Sequence, residues 1–211
     1  MTHIVVCGDS YCSAEYKGPR DHFSQILEDD YGYRVTNLAR GGMSTVGICF
    51  QIREAIALAP DVIIYNTTFP DRVNIVMNDS FNLGRGLKNF SYPFRADASA
   101  TSPLVGSKDA PILSTVWQDI HHMVSADQYR AIEMYLVHLF DWNMQREIDR
   151  WMIEYWHEQV VRANIRAVPF TQHKFDFVYQ FGRANPGINR VFHTDRATQV
   201  AAAQILHEIM S

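Results

Sequence analysis

Ile4-Val5-Val6-Cys7-Gly8-Asp9-Ser10 sets the reading of everything that follows it in the chain. The apolar run reads as a buried strand, and Gly8-Asp9-Ser10 closes it with a turn. Glycine allows that turn to be tight, so Ser10 falls at the carboxyl edge of a sheet, where open α/β folds bind their ligands. A hydroxyl at such an edge becomes a nucleophile once a base reaches it. A polar turn that merely ends a strand would show the same three residues.

Working outward, a polar loop leads to Asp21, an expected helix N-cap, followed by the apolar face Phe23, Ile26 and Leu27 and a stop at Gly32. Arg34 to Ala39 reads as a second strand, closed by Gly41-Gly42. Ser44 can cap the next helix, whose stripe is Ile48, Ile52, Ala55, Ile56 and Ala59. Pro60-Asp61 breaks it, and Val62-Ile63-Ile64-Tyr65 is apolar on both faces, as a central parallel strand should be. Strand, helix, strand, helix, strand in this order predicts an α/β sheet with right-handed crossovers.

The rhythm then stops. From Phe69 to about Ser114 there is no sustained periodicity, and an insertion running to about residue 125 is expected to be a lid, a partner-contacting arm or a disordered loop. Residues from about 126 to 164 read as helical, in two pieces, with Ile132, Leu136, Leu139, Phe140, Ile148, Trp151, Met152 and Tyr155 on one face. The aromatics Trp142, Trp151, Tyr155 and Trp156 are assigned to core packing ahead of a ligand platform or a homo-oligomer contact. Arg150 with Glu154 and Glu158 with Arg162 are i,i+4 pairs for the wet side. Ile165 to Phe170 is a further strand, and Thr194 caps a last helix with Ala197, Ala201, Ile205 and Ile209 on its inner side.

A chain of 211 residues is most economically one domain with a full-sized core, here residues 1–211. A net charge of -4 gives no electrostatic reason to expect nucleic acid. No apolar run approaches the roughly 18 residues of a membrane span, and no signal-peptide pattern opens the chain. Three cysteines, Cys7, Cys12 and Cys49, form no metal-like spacing and fit a reducing, cytoplasmic compartment. His121 and His122 are adjacent and point apart, and His138 and His157 lack a matching carboxylate, so no metal is expected. No phosphate-loop or Gly-x-Gly-x-x-Gly pattern occurs, so no cofactor is expected either.

Gly8-Asp9-Ser10, Asn37-Leu38-Ala39-Arg40-Gly41-Gly42 and His193 before the last helix stand in an order that resembles the SGNH (GDSL-type) hydrolase family, as a divergent member. The resemblance implies a flavodoxin-like three-layer α/β/α sandwich with a parallel sheet. It implies Ser10 as nucleophile, His193 as base, and an oxyanion hole formed by the N–H groups of Ser10 and Gly42. The chemistry agrees: a serine hydroxyl needs an imidazole to take its proton, and each backbone donor aimed at the developing oxyanion contributes about 3–4 kcal/mol.

The family's third block, Gly-x-Asn-Asp, is here Tyr65-Asn66-Thr67-Thr68-Phe69-Pro70-Asp71, which leaves Asn66, Thr67 or Thr68 to serve as the side-chain donor and Asp71 in the acidic place. The family's Asp-x-x-His becomes Arg190-x-x-His193, which removes the carboxylate that orients the imidazole. Asp195 lies too close to the helix start to replace it, and His173 is a further candidate for the same edge. The expected activity is a serine ester hydrolase, acyl or O-acetyl esterase, working by a Ser–His dyad or imperfect triad on a small-molecule or carbohydrate ester. Two other readings stand beside it: a non-catalytic binding or assembly protein on the same fold, and a flavodoxin-like nucleotide binder.

Overall fold

The computed structural model describes residues 1–14, 21–40, 43–68, 72–76, 91–92, 112–116, 125–170 and 196–211. Its elements are β1 (His3–Cys7), α1 (Phe23–Asp29), β2 (Arg34–Asn37), α2 (Thr45–Ala57), β3 (Val62–Asn66), β4 (Arg72–Val76), β5 (Ser91–Tyr92), β6 (Ile112–Val116), α3 (Ala126–His138), α4 (Trp142–Arg162), β7 (Arg166–Phe170) and α5 (Arg196–Met210). Four strands make a parallel sheet in the order β2-β1-β3-β7, with Val5 beside Thr36 and Ile63, and Ile63 beside Ala167. The chain steps from β1 one way to β2 and then the other way to β3 and β7. Winding therefore reverses at β1, and the carboxyl ends of β1 and β3 flank the topological switch point.

Successive strand residues face opposite sides, which divides the core in two. Ile4, Val6 and Ile64 pack with Phe23 and Leu27 of α1 and Ala203 and Leu206 of α5. Val5, Cys7, Ile63 and Tyr65 pack with Ile48 and Ile52 of α2 and Val160 of α4. The expected three-layer α/β/α sandwich is the observed one. All three cysteines are free and buried, and burial raises the Cys7 and Cys12 thiols and pushes that of Cys49 to about 12. Among the described residues no helix is long and apolar enough to cross a membrane.

Several local expectations shift. The cap of α1 is His22, not Asp21: its ring nitrogen accepts from Ser24 N at 3.2 Å, while Asp21 pairs at the surface with Arg196 at 3.6 Å. The Phe23 N–H, an orphan of the first turn, is taken by Gln199 Oε1 at 2.9 Å. That bond turns α5 so that Gln199, Ala202, Ala203 and Leu206 face inward, about a third of a turn from the Ala197–Ile209 stripe. Arg166 closes the far end of α5 by donating to the carbonyls of Ile209 and Met210.

The stretch expected to be an irregular loop carries a second sheet, antiparallel, in the order β4-β6-β5, with Arg72 opposite Val116 and Ser91 opposite Leu113. Its strands are short and pair across long sequence separations, so no local periodicity announces them.

The two helical pieces appear as α3, opened by a Ser125–Gln128 capping box, and α4, capped by Asp141. Their aromatic residues divide. Trp156 packs into the second core with Ile153, but Trp142, Trp151 and Tyr155 are 37%, 57% and 56% exposed, which overturns the assignment of all four to the core. The i,i+4 pairs Arg150–Glu154 and Arg162–Glu158 form as expected, at 3.8 and 3.2 Å.

Asp149 lies half-buried on α4, and burial holds its carboxyl above the ordinary carboxylate range, partly offset by the bond from Gln145 Nε2 at 2.8 Å. Its folded pKa therefore exceeds the unfolded one, and between them the folded state keeps a proton that the unfolded state has released. Stability falls as pH rises through that window. Asp149→Asn should raise the urea midpoint at neutral pH, and the two proteins should converge well below the ordinary carboxylate pKa of about 3.9.

Candidate functional site

The turn after β1 is built around a buried carboxylate. Asp9 is 0% exposed, and its Oδ1 accepts from Asn66 Nδ2 at 2.7 Å and from the Tyr11 N–H at 3.0 Å. Its Oδ2 accepts from Thr68 Oγ1 at 2.8 Å, and its own N–H donates to Asn66 Oδ1 at 3.0 Å. Asn66 is the last residue of β3, so this clamp ties the carboxyl ends of the two strands that flank the switch point.

Asn66 comes so close that position 8 admits no side chain. A Cβ on Gly8 would stand 2.0 Å from Asn66 Oδ1 and 2.8 Å from Cys12 Cβ, and Gly8 has φ +153. The Gly8 N–H is taken by Gln51 Oε1 of α2 at 2.5 Å, and its carbonyl accepts from Arg40 N at 3.1 Å. Asn37, from the end of β2, donates to the Cys12 carbonyl at 2.8 Å and so links the loop after β2 to the loop after β1.

These bonds single out Ser10. From Gly8 to Cys12 the backbone N–H groups of Gly8, Asp9, Tyr11 and Cys12 each have an acceptor inside the protein, the last being the Asp9 carbonyl at 3.0 Å. Among the described residues, the Ser10 N–H and hydroxyl meet none. Ser10 is half-buried, beside the more exposed Tyr11. Ser10 thus keeps both its N–H and its hydroxyl uncommitted among the described residues, at the edge where ligands of such sheets bind.

Of the residues expected at the site, the structure brings Ser10, Asn66, Thr67 and Thr68 to this edge. Asn66 and Thr68 are turned onto Asp9, so neither is a freely directed donor; Asn66 keeps one amide hydrogen beyond the one given to Asp9 Oδ1. Thr67 is half-buried and bonds to no described residue. Gly42, Asp71, His121, His122, His173, Arg190, His193, Thr194 and Asp195 lie outside the described residues.

His157, read in sequence as a histidine without a carboxylate, accepts or donates through Nδ1 at 2.6 Å from the Tyr65 hydroxyl, which lets that ring sit in the core at 1% exposure. No group of three or more potential metal ligands forms among the described residues.

Gln51 and Asn37 are the supports that reading the sequence missed as such. Gln51 looks like one more polar residue on an amphipathic helix; only its 0% exposure marks it. No protein-family model matches the chain, and a search of curated proteins finds no match for it.

Gly8→Ala should destabilise the fold at or beyond the upper end of the ~1–3 kcal/mol of a strained backbone position. Asn66→Ala should cost about 1–3 kcal/mol for the buried carboxylate partner it removes. Urea unfolding of both single variants and the double variant should show coupling, part of the Gly8→Ala cost vanishing once Asn66 is gone.

Proposed function

We propose that the chain is a serine ester hydrolase of the SGNH (GDSL) type that removes an acyl or O-acetyl group from a small-molecule or carbohydrate ester. The observation that carries this reading is Ser10 at the switch point, the one residue of the Gly8–Cys12 turn whose N–H is uncommitted among the described residues.

In this reading His193 takes the proton of the Ser10 hydroxyl as the oxygen attacks the ester carbonyl. The tetrahedral oxyanion is held by the N–H groups of Ser10 and Gly42, with Thr67 or the remaining Asn66 amide hydrogen as a third donor. Collapse expels the alcohol, which receives the proton from His193, and water repeats the sequence on the acyl-enzyme. Asp9 is not the base: it is buried, its oxygens accept from Asn66, Thr68 and Tyr11 N, and its role is to hold the turn that presents Ser10.

The commitment of Asn66 to Asp9 through both its amide atoms, together with Arg190 in the place of the usual acid, favours a second reading, a binding or assembly protein on the same scaffold.

Labelling with a fluorophosphonate probe separates the two. The hydrolase reading expects Ser10→Ala to abolish labelling and to lower ester turnover by about 10³-fold or more. His193→Ala should do the same. A folded wild type that never labels selects the binding protein.

A further inference from the structure

Resting on the hydrolase reading above for its chemistry, we infer that Gln51 is a positioning residue for Ser10. Its side chain takes over the last ladder bond of β1 and so fixes where the chain leaves the sheet to present the serine.

In a parallel ladder a strand residue accepts from the residue one place beyond its partner and donates to the carbonyl one place before it. Val6 is paired with Asn37, and its carbonyl accepts from Leu38 N at 2.8 Å. Two residues on, the Gly8 carbonyl accepts from Arg40 N at 3.1 Å, which keeps the same register. That register assigns the Gly8 N–H to the Leu38 carbonyl. It goes instead to Gln51 Oε1 at 2.5 Å, an acceptor reaching in from α2, outside the sheet. Half of the ladder thus continues to Gly8 and the other half is diverted, at the residue whose φ is +153. The next N–H, that of Asp9, turns to Asn66 at the end of β3, the strand on the other side of β1. Ser10 follows, uncommitted among the described residues.

Gln51 is an expensive residue to keep for packing alone. It is fully buried on the face of α2 that otherwise carries Ile48, Ile52 and Ala55. The Gly8 N–H requires an oxygen opposite it, which fixes the orientation of the amide and leaves Nε2 on the other arm. That nitrogen is buried and has no hydrogen-bond partner among the described residues. A leucine would fill the space without stranding a donor, and natural sequences keep such a cost where activity depends on it. With Gln51 gone, the Gly8 N–H has the Leu38 carbonyl to return to. The sheet then need not lose a bond, whereas the divergence of the turn is lost. Stability and reactivity of Ser10 therefore separate at this position.

The test compares wild type, Gln51→Leu and Gln51→Glu by urea unfolding, by the rate of fluorophosphonate labelling at Ser10, and by kcat and KM for p-nitrophenyl acetate. Gln51→Leu should unfold at or above the wild-type urea midpoint, yet label about 10²-fold more slowly, the scale of a small misplacement of reacting groups. Its kcat should fall by a similar factor with KM unchanged, since the lost interaction serves the reacting geometry and not ground-state binding. Gln51→Glu keeps an acceptor oxygen at the same reach, and burial raises its carboxyl pKa so that the neutral form persists at mildly acidic pH. It should restore most of the labelling rate relative to wild type at the same pH.

A folded Gln51→Leu protein that labels as fast as wild type overturns the positioning role alone. So does a loss of reactivity that merely follows a loss of urea stability, or one that Gln51→Glu does not relieve. A wild type whose Ser10 never labels overturns the hydrolase reading itself, and the positioning role falls with it.

Discussion

A carboxylate taken out of water is costly unless its lone pairs are filled, and in this chain that condition fixes the most consequential geometry. Asp9 is fully buried and is satisfied by an amide and a hydroxyl from the end of β3 and by a backbone N–H of its own turn after β1. Each donor is in place only if β1 and β3 are neighbours in their observed register, with Cys7 beside Tyr65. The charge is therefore a condition on strand pairing as much as a feature of the loop. Removing Asn66 alone would leave a buried charge short of a partner, so sheet and turn are specified together.

The supports around the clamp share one logic. Gln51 comes from α2, Asn37 from the end of β2 and Arg40 from the loop that follows it, and each bonds to the backbone between Gly8 and Cys12. Three separate elements thus position a turn of a few residues, and all their bonds go to groups other than those of Ser10. The result is a serine flanked by neighbours that are each bonded in place and left without partners of its own among the described residues.

How much of this could be read in the sequence depended on the range of the interactions. The parallel sheet was legible because Ile4-Val5-Val6 and Val62 to Tyr65 are apolar on both faces, and α2 because Ser44 caps a regular stripe. Ser10 was legible as a sheet-edge residue for the same local reasons. The clamp was not, since nothing local says that Asn66 and Thr68 close on a carboxylate 57 and 59 positions away. β4 and β6 were missed on the same ground, because they meet only across a long excursion of chain. The inward face of α5 was misread because Ala197, Ala201, Ile205 and Ile209 mark a plausible stripe, whereas a polar anchor, Gln199, decides the rotation. Trp142, Trp151 and Tyr155 of α4 were assigned to the core with Trp156 because aromatic density alone does not say which face of the helix meets the sheet.

The buried thiols give the interior a chemistry of its own. Cys12 belongs to the packing between the sheet and α1 and α5, Cys7 to the packing on the opposite side, and Cys49 sits on α2. Burial suppresses the thiolate at all three, so a thiol-directed reagent meets almost no nucleophile while the layers are closed. Modification would report separation of one layer or another, residue by residue. The chain thus carries three native reporters of its own opening, distributed over both sides of the sheet.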